Sequence, residues 1–277
     1  MTATERAAFR AAAGKPFSIG MAPIAVEDWI KVDELHAAHC ALKAEILARE
    51  GKEAFDATPG SEAAQAEAAE RLAAHIHRRF PEISTTLAVD EPRLKAISRC
   101  VQEDLLLMGR GPEGWTLMAG SLCFPTTWRL SEKIGRPMAA IHSAVPGFAG
   151  AMGERIARIF DNLRPEAPVE RHNLSIYADA ELRHEKAKTA EDRFPVGAPI
   201  LSLAHLRVER QTLTRLPATG AILFTVRIHL MRLSAAPARL TALVEAHVAA
   251  MKDEELVYKG LHRSRERLLA ALRPAGG

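Results

Sequence analysis

Apolar residues recur at helical spacing through the first hundred positions, and at alternate positions in one later stretch. The spacing predicts a helix over Val26–Glu50 and a loop at Thr58-Pro59-Gly60. Ser61 then stands as an N-cap for an Ala/Glu-rich helix that reaches Phe80 and is stopped by Pro81. Leu94, Ile97, Val101, Leu105 and Met108 lie at helical spacing and predict a third helix over Pro92–Leu107. The middle of the chain changes character. Trp115–Phe124 reads as a strand ending at Pro125, and Asn173–Tyr177 as a short strand. Leu130–Ile134 and Gly153–Leu163 read as helices flanking a loop at His142–Pro146.

The strongest pattern is a hairpin of Leu203–Arg215 and Ala221–Leu230 around Pro217-Ala218-Thr219-Gly220. Beyond Pro237 the chain reads as helical to Ala271, with a break near Gly260. Helices, then an antiparallel β region, then helices predict an α+β fold rather than a doubly wound parallel sheet.

Composition narrows the function classes. The 277 residues carry 37 Lys and Arg against 34 Asp and Glu, too even a balance for the basic stripe of a nucleic-acid binder. Aromatics at 5% argue against a stacking platform for single strands. No stretch approaches the ~20 apolar residues of a membrane span, and Met1–Lys15 lacks the apolar run of a secretory signal. A cytoplasmic protein with no nucleic-acid or membrane partner is expected. Cys40, Cys100 and Cys123 form no C-x-x-C pair, so neither a disulfide framework nor an iron–sulfur cluster is expected from this chain.

The hairpin departs from a simple in/out alternation. With a four-residue loop between Leu216 and Ala221, Arg210 faces Arg227 and Val208 faces His229. Like charges directly opposite are unfavourable, so either this is a wet sheet face or an anion compensates the two guanidinium forks. Arg207, Glu209 and Gln211 alternate onto the other face, opposite Leu230, Ile228 and Val226. A buried Glu209 there needs an arginine or hydrogen-bond donors, and a structural ion pair and a catalytic acid fit equally.

Among the histidines, His36 and His39 share one helix face with Cys40 at a spacing open to zinc, with no fourth ligand in view. His75, His77, His184, His247 and His262 read as surface residues. His142 differs, because it lies in the mostly apolar Ala140–Pro146 and is the best local candidate for a metal or haem ligand. His172, His205 and His229 rival it, lying on or beside the predicted sheet. No dinucleotide fingerprint, P-loop, H-E-x-x-H or nucleophile elbow occurs.

Phe124-Pro125-Thr126-Thr127-Trp128-Arg129-Leu130 with Glu132-Lys133-Ile134-Gly135-Arg136-Pro137 resembles an F-P-S-x-W-x-L-x-E-K-x-G-R-P segment. Ile141–Gly147 resembles I-H-x-P-V-P-G, with Ala144 in place of the proline. Arg207–Arg227 resembles R-V-E-R-Q-T-L-x-R-L-P-x-T-G-x-x-x-F-T-I-R, and Gln102-Glu103-Asp104-Leu105, Trp29 and Asp33 also fit. Arg171-His172-Asn173-Leu174 stands where R-x-N-W is usual. These segments, spread over about residues 20–232, are similar to the family of the haem-dependent oxidative N-demethylase alpha subunit.

The resemblance implies a PAS-like antiparallel sheet flanked by N- and C-terminal helices, with haem b in its pocket. An N-terminal arm over 1–20 and a single haem-binding domain over 21–277 are expected. The implied activity is oxidation of a methyl group on a small methylated amine at haem iron. The product collapses to the demethylated amine and formaldehyde, with electrons drawn from external reductase and ferredoxin-type partner subunits. In that frame His142 is the axial ligand to iron. Arg210 and Arg227, with His229 beside them, hold the haem propionates. Glu209, Gln211 and Arg207 form the catalytic set. Two alternatives stay open: a sensor-like PAS protein that binds haem or a small ligand without catalysis, and an enzyme of the same fold without haem or with another substrate.

Overall fold

The computed structural model describes residues 1–88, 90–184 and 193–273. Seven strands form one sheet: β1 (Ala22–Pro23), β2 (Phe55–Ala57), β3 (Asp104–Gly111), β4 (Gly114–Ser121), β5 (Val169–Tyr177), β6 (His205–Arg215) and β7 (Ile222–Arg232). Their spatial order is β1-β5-β6-β7-β3-β4-β2, and every neighbouring pair is antiparallel. The helices are α1 (Ala3–Ala13), α2 (His36–Arg49), α3 (Glu62–Arg79), α4 (Arg93–Ser98), α5 (Met138–Ile141), α6 (Gly153–Asn162), α7 (Ile200–Leu203), α8 (Ala238–Ala249), α9 (Asp253–Lys259) and α10 (Arg265–Leu272). The α+β class is as expected, and no helix among the described residues is long and apolar enough to cross a membrane.

The β6–β7 hairpin has the expected register: Arg210 faces Arg227, Val208 faces His229 and Glu209 faces Ile228. Alternation then divides the sheet into two faces. On one, Leu174, Ile176, Leu206 and Val208 pack under α1, α8 and α10, while Leu105, Leu107 and Leu223 pack under α3 and α4. We call this the α1 face. On the other, the α6 face, Leu106, Met108, Leu213 and Ile222 pack against Leu130, Met138, Phe148 and Phe160.

Four elements differ from expectation, the smallest change being Leu130–Ile134, expected as a helix, which is a 3-10 turn at Leu130–Glu132. The helix expected over Pro92–Leu107 ends at Ser98, and β3 begins at Asp104. Leu105 to Met108 are all buried because β3 is an inner strand covered on both faces, and such a strand reads as an unbroken apolar run, as a buried helix does. The helix expected over Val26–Glu50 is a short 3-10 turn at Val26–Asp28, an ordered connection, and then α2. That connection buries Trp29 and Ile30. Residues 1–20, expected as an arm, contain α1. Thr2 and Glu5 close a capping box at its start. Ala7, Ala8, Ala11 and Ala12 are buried, and their small side chains let α1 approach the sheet closely.

Candidate functional site

On the α6 face, β5 and β6 place polar side chains side by side. Arg171 pairs in register with Gln211, Asn173 with Glu209, and Ser175 with Arg207. Glu209 is buried at the centre of this row. Its Oε2 accepts from Gln211 Nε2 at 2.6 Å and from Asn173 Nδ2 at 3.3 Å. The Thr126 hydroxyl lies close enough to act on its carboxylate as a donor. Burial works to raise the Glu209 carboxyl, but the Thr126 bond, the charges of Arg207 and Lys259 and the Asn173 bond outweigh it and hold the group below its ordinary range. Glu209 is therefore a buried anion, yet among the described residues no cationic nitrogen lies within the 4.0 Å of an ion pair.

Two cations act on Glu209 through neutral intermediaries. Arg207 Nε donates to Thr126 Oγ1 at 3.1 Å. Lys259 Nζ donates to Asn173 Oδ1 at 2.9 Å, to Leu174 O at 2.8 Å and to Ser175 Oγ at 3.0 Å. Burial pushes the Lys259 ammonium down to about 7, against the opposing pull of Glu209. Tyr258 lies within electrostatic reach of the same carboxylate, and burial raises its phenol to about 12.

Arg207 is fully buried, and its other donors bond the carbonyls of Glu181, Phe124, Pro125 and Leu182. It pins the loop that presents Thr126. The next residue, Thr127, sits at φ 61, an unusual conformation for a β-branched residue, and its N–H donates to His184 O at 2.7 Å. Lysine at 207 has three donors for these acceptors. Arg207→Lys is expected to cost about 2 kcal/mol, read as a shift of the urea midpoint at unchanged slope; an unchanged midpoint would deny the pinning role.

His142 ends α5 on the same face. It stacks on Phe148 with ring centroids 4.6 Å apart, and Arg171 lies within electrostatic reach. Its Nδ1 is 2.9 Å from Met138 O, so Nδ1 carries the proton and donates to that carbonyl. Burial, with Arg171 and Lys133 nearby, lowers its pKa despite the Met138 bond, and the ring is neutral at pH 7. A neutral imidazole fixed through one nitrogen, with the other unused, is the state of a metal-ligating histidine. Arg171 adds a cation that has no carboxylate within ion-pair distance among the described residues; its Nη2 donates to Ser18 O at 3.2 Å, and its buried Nε has no partner among them.

The remaining expected site residues lie on the α1 face. Arg210 Nε donates to Glu170 Oε2 at 2.9 Å and its Nη1 to Trp29 O at 3.0 Å. Arg227 Nη2 reaches Asp33 Oδ2 at 2.7 Å, and its Nη1 bonds His39 Nδ1 at 2.9 Å. His229 Nδ1 is 3.3 Å from Thr4 Oγ1, and burial lowers its pKa to about 3. The anions that compensate the two facing arginines are thus the chain's own Glu170 and Asp33. The sheet separates Arg210, Arg227 and His229 from His142, Glu209, Gln211 and Arg207.

Other histidine expectations need correction. His75 is 1% exposed, wedged edge-on to Trp29 and Phe80, and His247 is buried with Nδ1 on Gly14 O. His36 bonds Cys100 O, and no group of three or more metal-type ligands occurs among the described residues. Lys259 and Tyr258 escaped sequence reasoning because they arrive on a helix far along the chain, with no motif of their own. Thr126 and Asn173 did lie within the quoted segments.

A family model described as haem-dependent oxidative N-demethylase, alpha subunit-like, matches residues 20–269, and the chain belongs to that family.

Proposed function

We propose that this chain is the haem-carrying, amine-oxidising subunit of an oxidative N-demethylase, built on a PAS-like domain that spans the sheet and its flanking helices. The observation that carries the reading is Glu209: a buried carboxylate held ionised by Gln211, Asn173 and Thr126, with no ion-pair partner among the described residues. Burying an unpaired charge is costly. A small alkylammonium ion supplies the missing cation, and its two N–H donors match the carboxylate.

The residues present suit haem on the same face. His142 holds the tautomer needed of an axial ligand, and Arg171 and Lys133 are cations within its electrostatic reach. Bound there, haem iron would supply the oxidation of an N-methyl group by dioxygen, with electrons from a separate reductase-type partner. Glu209 binds and orients the ammonium. Gln211 and Asn173 fix the carboxylate, Arg207 steadies it through Thr126, and Phe224, Val226 and Ile228 supply an apolar flank on the same side of β7.

Two variants test the reading. Glu209→Gln should weaken dimethylammonium binding by about a hundredfold or more, since truncating one side of a buried charge pair costs about 2–5 kcal/mol. Formaldehyde release under reducing conditions should fall with it. His142→Ala should lose the Soret band of the haem-loaded protein. Amine affinity unchanged in the first variant, or haem content and ferric spectrum unchanged in the second, would refute the corresponding assignment.

A further inference from the structure

A cleft of about 750 Å³ opens beside the uncovered stretch of β5. β1 pairs only with Val169 and Glu170 of that strand, so the edge from Arg171 onward faces α1, the loop after it and the end of α9. The charge of the lining is one-sided: seven arginines and lysines against two carboxylates, Asp28 and Glu170.

Both carboxylates are already committed. Glu170 is shared by Arg10 and Arg210, and Asp28 is bound by Lys31. Four lining cations are left without a carboxylate within ion-pair distance among the described residues. Arg6 donates only to Met1 O. Lys15 has no side-chain bond. Lys259 bonds neutral oxygens alone. Arg171 keeps a buried Nε with no partner. Three histidines share the cleft: His172 and His229, neutral at pH 7 because burial lowers them to about 4 and about 3, and His247, which burial also lowers.

Arg6, Lys15 and Arg171 repel one another around one concavity, while Lys259, lowered by burial to about 7 and with its three donors on Asn173, Leu174 and Ser175, adds only part of a charge. Planar guanidinium forks suit phosphate and carboxylate oxygens. We infer that the cleft binds a small multivalent anion bearing phosphate or carboxylate groups, held between Arg171 at its floor and Arg6 and Lys15 at its rim. The site lies at the β5 edge and does not require the amine or haem reading.

Inorganic pyrophosphate and citrate, titrated calorimetrically into the protein at low salt, are the probes. Saturable one-to-one binding is expected, weakening as added salt screens the cations. The double variant Arg6→Gln/Lys15→Gln alters two exposed side chains and should weaken binding by about tenfold or more. Arg171→Gln should weaken it independently. Absence of saturable binding, or affinity unchanged in both variants, would overturn the proposal. A comparison of haem-free and haem-loaded protein separates the sources of the anion. Equal affinity in both supports a free small molecule, whereas binding abolished by haem loading assigns the cleft to the propionates and refutes a free ligand.

Discussion

Lowering the pH from 7 to 5 is expected to remove several kcal/mol of folding stability. His39, His75 and His229 are buried, and their pKa values are lowered to about 4, about 4 and about 3. Burial is the largest cause in each; Arg227 presses on His39 and His229, and Arg78 on His75. In the unfolded chain a histidine titrates near 6.5. Between that value and the folded pKa the unfolded state binds more protons, so stability is complete above about 6.5 and is lost as pH falls toward 4. At pH 5 each histidine accounts for about 2 kcal/mol, and half that value, allowing for relaxation and entry of water, still gives about 3 kcal/mol together. A total stability of about 5–15 kcal/mol makes this loss conspicuous. Urea denaturation at pH 7, 6 and 5 measures it. His75 gives a control, because neither ring nitrogen has a hydrogen-bond partner among the described residues and it packs among Trp29 and Phe80. His75→Phe should flatten the profile by one histidine's share. A profile flat between pH 6.5 and 5 in the parent protein would sink the account.

Asp33→Ala is expected to cost about 3–5 kcal/mol, the penalty of leaving a buried charge without its partner. Arg227 is 1% exposed, and among the described residues Asp33 is the only carboxylate within ion-pair distance of it. Asp33 also accepts from Gln102 Nε2 at 2.8 Å and from Leu35 N at 3.1 Å, tying the connection before α2 to the sheet. Arg227→Met removes the charge and strands Asp33, which has more access to water, so its cost should be smaller. The double variant Asp33→Leu/Arg227→Met should recover much of the loss, since a buried pair is often replaceable by apolar residues. Chemical denaturation of the parent, both single variants and the double variant gives the coupling directly. If Asp33→Ala stayed within 1 kcal/mol of the parent, Arg227 would have another anion and the pairing described above would be wrong.

Sequence alone reached the register of the hairpin to the residue, because a loop of fixed length sets every cross-strand pair and alternation does the rest, while its strand ends lie up to two residues from those expected. The same logic, extended to faces, puts Arg210, Arg227 and His229 on one side of the sheet and Arg207, Glu209 and Gln211 on the other. His142 belongs to no strand, so alternation says nothing of its side, and its stacking on Phe148 is what sets it against the α6 face. β3 was not legible: four consecutive buried apolar residues carry no period, and the helical spacing from Leu94 ran on into them. α1 was legible in part, since Thr-x-x-Glu precedes an alanine-rich run, but alanines give little contrast between faces. Lys259 could not be found, because its role comes from α9 meeting the edge of β5, a contact between segments about 85 positions apart in the chain.

α1 lies against α8, which starts more than two hundred residues later. On a ribosome adding roughly 5–20 residues per second, the buried alanines of α1 wait on the order of 10–50 s for that helix to appear. During this interval the amino-terminal segment can pack on β5, β6 and β7, which emerge earlier, but its α8 side stays open. The β5 edge and Glu209 likewise stay open until α9 emerges. Assembly of the chain is thus governed by late arrivals, and a nascent chain stalled before α8 would expose an amphipathic helix to holdase chaperones.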